Sequence, residues 1–254
     1  MMVNPRTGRL SQRAGIAESA LQGRSAAYGD AAQMAAAAPP SVVDLKLAES
    51  NGGGFYLHHG KRIIDVVGAV VGLVLFAPVM LLFAILIKLD SVGPVLYKAE
   101  RVGKGCKPFM FYKLRSMYVG AHESRGSLMH LNQATGPAFK LFDDPRITRV
   151  GRFMRKCSID ELPQLYNVLR GDMSLVGPRP PIPEEVVRYE PWQLRRLSPK
   201  PGITCLWQIS GRSRLGFDEW MRLDIEYVNN QSFWMDMKIL VRTIPAVLLR
   251  EGAY

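Results

Sequence analysis

From Val66 to Ile87 the chain runs for 22 residues without a charge, bounded by Lys61-Arg62 and Lys88. That matches the roughly 20 apolar residues a helix needs to cross a bilayer core. The run starts too far into the chain to read as a cleaved signal peptide. It is apolar on every side, unlike the one-sided stripe of a helix packed on a soluble core. Pro78 divides it into pieces of roughly 12 and 10 residues, about 18 and 15 Å at 1.5 Å per residue. Neither piece crosses a core of about 30 Å. Proline lacks an N–H and clashes with the preceding turn, so a kink is expected at Ala77-Pro78. Basic residues lie at both ends, with Lys88, Lys98 and Arg101 on the far side, so charge assigns no inside or outside. A helix that enters, breaks at Pro78 and returns to the same face fits these facts better than a straight span, which is the alternative.

Residues 1–60 are rich in Ala, Ser, Gly and Arg and hold little that could form a core; they are expected to be a mostly disordered tail. After the apolar segment, taken as 61–90, residues 91–254 are expected to form one mixed α+β domain. Val95–Val102 and Pro108–Arg115 flank Gly103-Lys-Gly-Cys-Lys107 and read as a small β-hairpin. The Gly-Lys-Gly is a turn and lacks the spacing of a phosphate loop. Beyond Thr148 the pattern is helical. Phe233, Met237, Leu240, Val241, Ile244 and Leu248 recur at helical spacing. Tyr189, Trp192, Leu194 and Leu197 intermix with Arg188, Arg195, Arg196 and Lys200, a composition suited to a helix in the lipid interface or to one packed on a core. The upstream apolar segment favours the membrane for both. Cys106, Cys157 and Cys205 are scattered without metal-ligand spacing, so they read as reduced thiols and no zinc site is expected. A net charge of +11 points to anionic partners without choosing among nucleic acid, phosphorylated substrates and acidic lipid.

The chemistry concentrates in Ser158-Ile-Asp-Glu-Leu-Pro-Gln-Leu165. Ser158-x-x-Glu161 matches a capping box, in which the acids would only start a helix. Pro163 argues against that register, because it would then lie fifth in the helix and lose a backbone hydrogen bond. A start nearer Asp160 keeps it among the first four positions, whose N–H groups have no intrahelical partner. In either register a carboxylate at a positive helix end stays ionised, and phosphate is favoured nearby. Arg146, Arg149, Arg152, Arg155 and Lys156 supply far more cation than a cap requires. Arg179 lies between Pro178 and Pro180, which restrict its backbone and suit it to bidentate phosphate binding. A carboxylate attacking a pyrophosphate needs that charge offset, by arginine or by Mg²⁺ held on one or two carboxylates and phosphate oxygens. One acid therefore reads as nucleophile, with the other, or both, holding metal.

Lys61-Arg-Ile-Ile-Asp65, Tyr112-Lys-Leu-Arg-Ser-Met117, Asp144-Pro-Arg-Ile-Thr148, Asp160-Glu-Leu-Pro-Gln164, Val176-Gly-Pro-Arg-Pro180, Pro201-Gly-Ile-Thr204 and Trp207-Gln-Ile-Ser-Gly-Arg212 occur in that order. With these motifs residues 61–254 resemble the bacterial sugar transferases of the monotopic phosphoglycosyl transferase family. The resemblance implies a re-entrant helix-break-helix with interfacial helices around a cytosolic active site. It implies a membrane enzyme at the cytoplasmic face of the bacterial inner membrane that starts exopolysaccharide or glycan synthesis. In that chemistry Asp160 attacks the β-phosphate of a UDP-sugar, UMP leaves, and undecaprenyl phosphate takes the sugar phosphate from Asp160. Glu161 would assist, and Mg²⁺ would sit at Asp160 and Glu161. Arg155 and Arg179 fall on phosphate-contacting positions, and Lys113, Arg115 and Arg212 lie in the same motifs as candidate substrate-binding residues. The ending Thr243–Tyr254 is similar to short galactosyl-phosphate transferases, which favours galactose or glucose over N-acetylated sugars. Two departures stand out: Ala77-Pro78 where Ser-Pro is usual, and Cys205 where glycine is usual.

The rival reading is a membrane-tethered basic scaffold that binds nucleic acid or a polysaccharide-synthesis partner. It explains charge and anchor but leaves Asp160, Glu161 and Arg179 without a role. The expected partners are therefore a UDP-sugar, undecaprenyl phosphate and membrane lipid, with no nucleic acid; self-association is left open.

Overall fold

The computed structural model describes residues 54–211 and 215–248. Residues 1–53, most of the expected tail, and Arg212 lie outside them. Helix begins ahead of the boundary expected at residue 61. A π-helical turn, Tyr56–Gly60, leads directly into α1, Lys61–Asp90. Among the described residues, Tyr56–Asp90 is the one helical run long and apolar enough to cross a membrane. The break expected at Pro78 is not an interruption of the helix, because α1 continues across Pro78 for its full 30 residues. That length is about 45 Å if straight.

One face of α1 packs on the rest of the chain. Asp65, Ala69, Phe83 and Ile87 are buried on it at helical spacing, while Val70, Val71, Val74, Leu75, Leu81 and Leu82 are exposed. The ends are fastened by polar groups. Arg62 donates to the carbonyls of Val168 (2.6 Å) and Leu169 (2.7 Å), capping the negative end of another helix. Asp65 accepts from Ser174 Oγ and from the Leu175 amide. Lys61 donates to Asp236 and to the Val176 carbonyl, and Tyr56 and Tyr227 also donate to Asp236. At the far end Asp90 accepts from the Val150 amide at 3.0 Å.

Strands β1 (Leu96–Val102) and β2 (Pro108–Leu114) pair antiparallel, with Tyr97 opposite Lys113 and Arg101 opposite Phe109. The outer edge of β2 is covered by Asn167, which accepts from the Tyr112 amide and donates to the Met110 carbonyl. Helix α2 (Arg149–Lys156) is capped by Thr148, whose hydroxyl accepts from the Gly151 amide. Helix α3 (Gln164–Arg170) follows the acidic turn, ends at Gly171, and leads to β3 (Ser174–Val176). Two short helices, α4 (Pro183–Val186) and α5 (Pro191–Leu194), precede β4 (Gly202–Thr204), which pairs parallel with β3. Gly177 and Gly202 allow this pairing: a Cβ on Gly202 would run into the Gly177 backbone. The chain closes with α6 (Leu206–Ile209), α7 (Phe217–Asn229) and α8 (Phe233–Leu248).

The interfacial reading of Tyr189–Leu197 is corrected. Tyr189 and Leu197 are buried in a cluster with Val102, Val186, Phe217 and Met221, and Arg196 is sealed beneath them. Aromatic-basic mixing here reflects a buried ion pair. On α8 the apolar stripe is divided: Val241 and Ile244 are exposed, Leu240 packs on the core, and Asp236 and Ile239 are buried.

Candidate active site

Helix α2 ends at Lys156, and Ser158 then adopts a left-handed conformation (φ 56°, ψ 21°). Its side chain caps nothing, so the capping-box reading is set aside. A non-glycine residue in this region is uncommon and marks a reversal that the surroundings must hold. Here it turns the chain into the single 3₁₀ turn Ile159–Glu161, which carries both acids ahead of Pro163 and α3.

Three elements bring cations to this turn. Lys113 on β2 lies 2.6 Å from Glu161 Oε1 and 3.6 Å from Asp160 Oδ2. Arg179, after β3, lies 3.2 Å from Glu161 Oε1. Arg155, in the last turn of α2, acts on Asp160 electrostatically. Burial alone would raise the Glu161 carboxyl; the charges of Lys113 and Arg179 outweigh it and hold the group down at about 2. Asp160 goes the other way. Burial pushes it above the ordinary value against the pull of Lys113, and the Glu161 charge adds to the rise. The result is two unlike acids side by side: a firmly ionised, hydrogen-bonded Glu161, and an Asp160 that accepts no hydrogen bond among the described residues. An ionised carboxylate with uncommitted lone pairs and raised basicity suits a nucleophile, while its neighbour fixes the cations.

Among the described residues no three His, Cys, Asp or Glu side chains gather into a metal site. Mg²⁺ does not need such a cage, because it commonly takes one or two carboxylates and completes its shell with water and substrate phosphate. Asp160, with its oxygens uncommitted, and the second oxygen of Glu161 fit that requirement.

Of the expected site residues, Lys113 and Arg179 contact the acids, and Arg155 acts on Asp160 through its charge. Arg115 does not join. Its Nε donates to the Pro94 carbonyl (2.6 Å), and its terminal nitrogens donate to Ser91 Oγ (2.7 Å) and the Ser91 carbonyl (2.8 Å). It fastens the end of β2 to the turn leaving α1, with each of its three nitrogens bonded there and none to the acids. Arg212 is outside the described residues. Cys205 is extended (φ −155°, ψ 169°), a conformation open to any residue, so glycine is not needed there.

One positioning group was not evident from the sequence. Arg196, fully buried, donates to Asp224 through Nε (2.8 Å), to Tyr189 Oη (3.1 Å) and to the Arg179 carbonyl (2.9 Å). It holds the backbone of the arginine that meets Glu161. Its only sequence signal was a basic residue at an apolar helical position.

A family model described as bacterial sugar transferase matches residues 56–250. Galactosyl transferase CpsE of Streptococcus agalactiae serotype III is 52% identical over 194 residues, covering 76% of this chain and 43% of that protein. An undecaprenyl-phosphate galactose phosphotransferase of Salmonella typhimurium is 45% identical over 199 residues, covering 76% and 41%. A UDP-glucose:undecaprenyl-phosphate glucose-1-phosphate transferase of Caulobacter vibrioides is 43% identical over 212 residues, covering 76% and 72%. The chain thus spans less than half the length of the first two relatives.

Proposed function

The chain belongs to the bacterial sugar transferase family, and from that premise we propose that it moves a hexose 1-phosphate, galactose or glucose, from a UDP-sugar to undecaprenyl phosphate. The observation that carries this reading is the unlike acid pair: Asp160 without a hydrogen bond and 3.6 Å from Lys113, Glu161 clamped by Lys113 and Arg179. Asp160 attacks the β-phosphorus, the bond from that phosphorus to the bridging oxygen breaks, and UMP leaves with its electron pair. A phosphate oxygen of undecaprenyl phosphate then attacks the same phosphorus and releases the Asp160 carboxylate. Starting from ionised phosphates, neither step needs a net proton, so Glu161 is not required as a base. Its role is to hold Lys113 and Arg179 where charge gathers. Mg²⁺ at Asp160 and Glu161 would offset the charge of the diphosphate.

Support for a re-entrant α1 comes from its two ends. Lys61 bonds to Asp236 and Asp90 to Val150, so both ends meet the same domain. A straight crossing would separate them by a core of about 30 Å. The Val70–Leu82 region, with its exposed apolar side chains and Pro78, is then the part that dips into lipid. The test is a panel of UDP-sugars with purified protein, Mg²⁺ and undecaprenyl phosphate. UMP as product with galactose or glucose supports the reading; UDP as product indicates ordinary glycosyl transfer and overturns it.

A further inference from the structure

The β1–β2 register sets Tyr97, Ala99 and Arg101 opposite Lys113, Phe111 and Phe109. Residues that alternate along paired strands share a face, so all six side chains project from the face that meets the acidic turn. The Phe111 ring carries two cations on that face: Lys113 Nζ at 5.6 Å and the Arg101 guanidinium carbon at 5.3 Å from its centroid. Lys113 is committed to Glu161. Arg101 is not committed to any anion.

Arg101 Nε is sealed from solvent without a hydrogen-bond partner, and the side chain makes no ion pair among the described residues. The charge facing it most strongly is Arg179, which repels it, with Glu185, Tyr97 and Glu184 acting more weakly from β1 and α4. Burial and Arg179 lower its pKa to about 10, so it stays charged near neutrality. The Val102 amide donates to the Pro181 carbonyl at 3.0 Å, fastening this end of β1 to the loop that carries Arg179. Stacking on Phe111 uses none of the guanidinium's five N–H donors. A partly desolvated cation beside a like charge, with its donors unspent, is the state expected of an anion-binding residue without its ligand.

Its place on the hairpin points to which anion. Arg101 pairs with Phe109, four residues from Lys113, or about 14 Å along the backbone at roughly 3.4 Å per residue, while both cationic groups lean over the Phe111 ring between them. Next to Lys113, Leu114 packs on Phe83 and Ile87 of α1; next to Arg101, Val102 packs in a cluster whose buried residues include none from α1. Between them Phe111 and Phe109 pack with Ala69 of α1, so the whole row borders that helix, with Lys113 nearest its Phe83–Ile87 end and Arg101 nearest α4. On that placement the soluble nucleotide is matched to the Arg101 end, beside α4 and the Arg179 loop, and the lipid phosphate to the Phe83–Ile87 end.

We propose that Arg101 binds the nucleotide-side phosphate of the donor, the group that departs as UMP and gains charge on its bridging oxygen as the β-phosphorus bond breaks. This rests on the proposed transferase reading and assigns a subsite within it.

The test compares wild type with Arg101→Gln and Arg101→Lys in nanodiscs. Three quantities are measured: UMP and uridine affinity by calorimetry, UMP release from a UDP-hexose without acceptor, and discharge of the preformed adduct to undecaprenyl phosphate. Arg101→Gln should weaken UMP binding by about ten- to a hundredfold, the range for a lost charged hydrogen bond, and slow UMP release. Uridine binding and discharge should be unchanged, and Arg101→Lys should recover part of the loss even if the Gln variant folds poorly. Unchanged UMP affinity and release in both variants overturns the assignment. So does a loss confined to discharge, which would place the acceptor phosphate at Arg101. Wild type that binds UMP but releases none from any UDP-sugar sinks the transferase reading, while the affinity comparison still tests Arg101. Wild type that binds no UMP sinks both.

Discussion

Replacing Arg196 by methionine removes a fully buried charge along with its bonds to Asp224, Tyr189 and the Arg179 carbonyl. Asp224, 0% exposed, is left in the core without a counter-charge. Breaking one side of such a pair costs about 3–5 kcal/mol. At 2–4 °C per kcal/mol for a chain of this size, that is a melting temperature lower by roughly 6–20 °C. The pair itself is not ideal: the Trp220 indole N–H acts on Asp224, but neither it nor Asp224 Oδ1 has a partner at good hydrogen-bond geometry. Replacing both charges, as Arg196→Met with Asp224→Leu, should therefore recover most of the loss, since apolar substitutes for a buried pair are often neutral or better. Activity should not recover with stability, because the Arg179 carbonyl still lacks its donor. The assay is thermal unfolding of both single variants and the double variant in nanodiscs, with UMP release measured below the transition. A double variant whose loss equals the sum of the singles refutes the coupling. Full UMP release in the double variant refutes the positioning role of Arg196.

Two further outcomes follow from the site. Glu161 is held at about 2 against an ordinary 4.5, so its ion pairs contribute stability that is present above about pH 4.5 and lost as pH falls towards 2. The melting-temperature gap between wild type and Glu161→Gln should be full near neutrality and close across that window; a gap independent of pH contradicts the assignment. Gly202→Ala would press a Cβ into the Gly177 backbone, separating β3 from β4 just ahead of Arg179. It should cost about 1–3 kcal/mol, as overpacking does, and lower UMP release more than Ala substitution at exposed Arg188, measured by unfolding and turnover together.

What the sequence made legible was local. An apolar run of membrane length, two apolar-rich runs about a glycine loop, and two acids ahead of a proline each declare themselves within some two dozen residues. Partners far apart in the chain do not. Lys113 and Arg115 sit two residues apart in one motif, yet Lys113 reaches Glu161 whereas Arg115 is spent on Ser91 and Pro94; only the path of the chain leaving α1 separates them. The letters around Ser158 spell a capping box, but its backbone is left-handed and its side chain caps nothing. Tyr189–Leu197 has the same composition whether it lies in an interface or seals an ion pair, and Asp224, which decides the matter, lies on α7. The lock on α1 joins Lys61 to Asp236 across most of the chain, beyond any periodicity.

The central claim is that Asp160 carries the sugar phosphate. Incubating purified protein with Mg²⁺ and a UDP-hexose, without acceptor, and mapping the modified peptide by mass spectrometry tests it directly. The account predicts one equivalent of UMP and a hexosyl-phosphate adduct on Asp160 that is absent from Asp160→Asn and lost on adding undecaprenyl phosphate. UMP formed only when acceptor is present, with no adduct at any time, would contradict it.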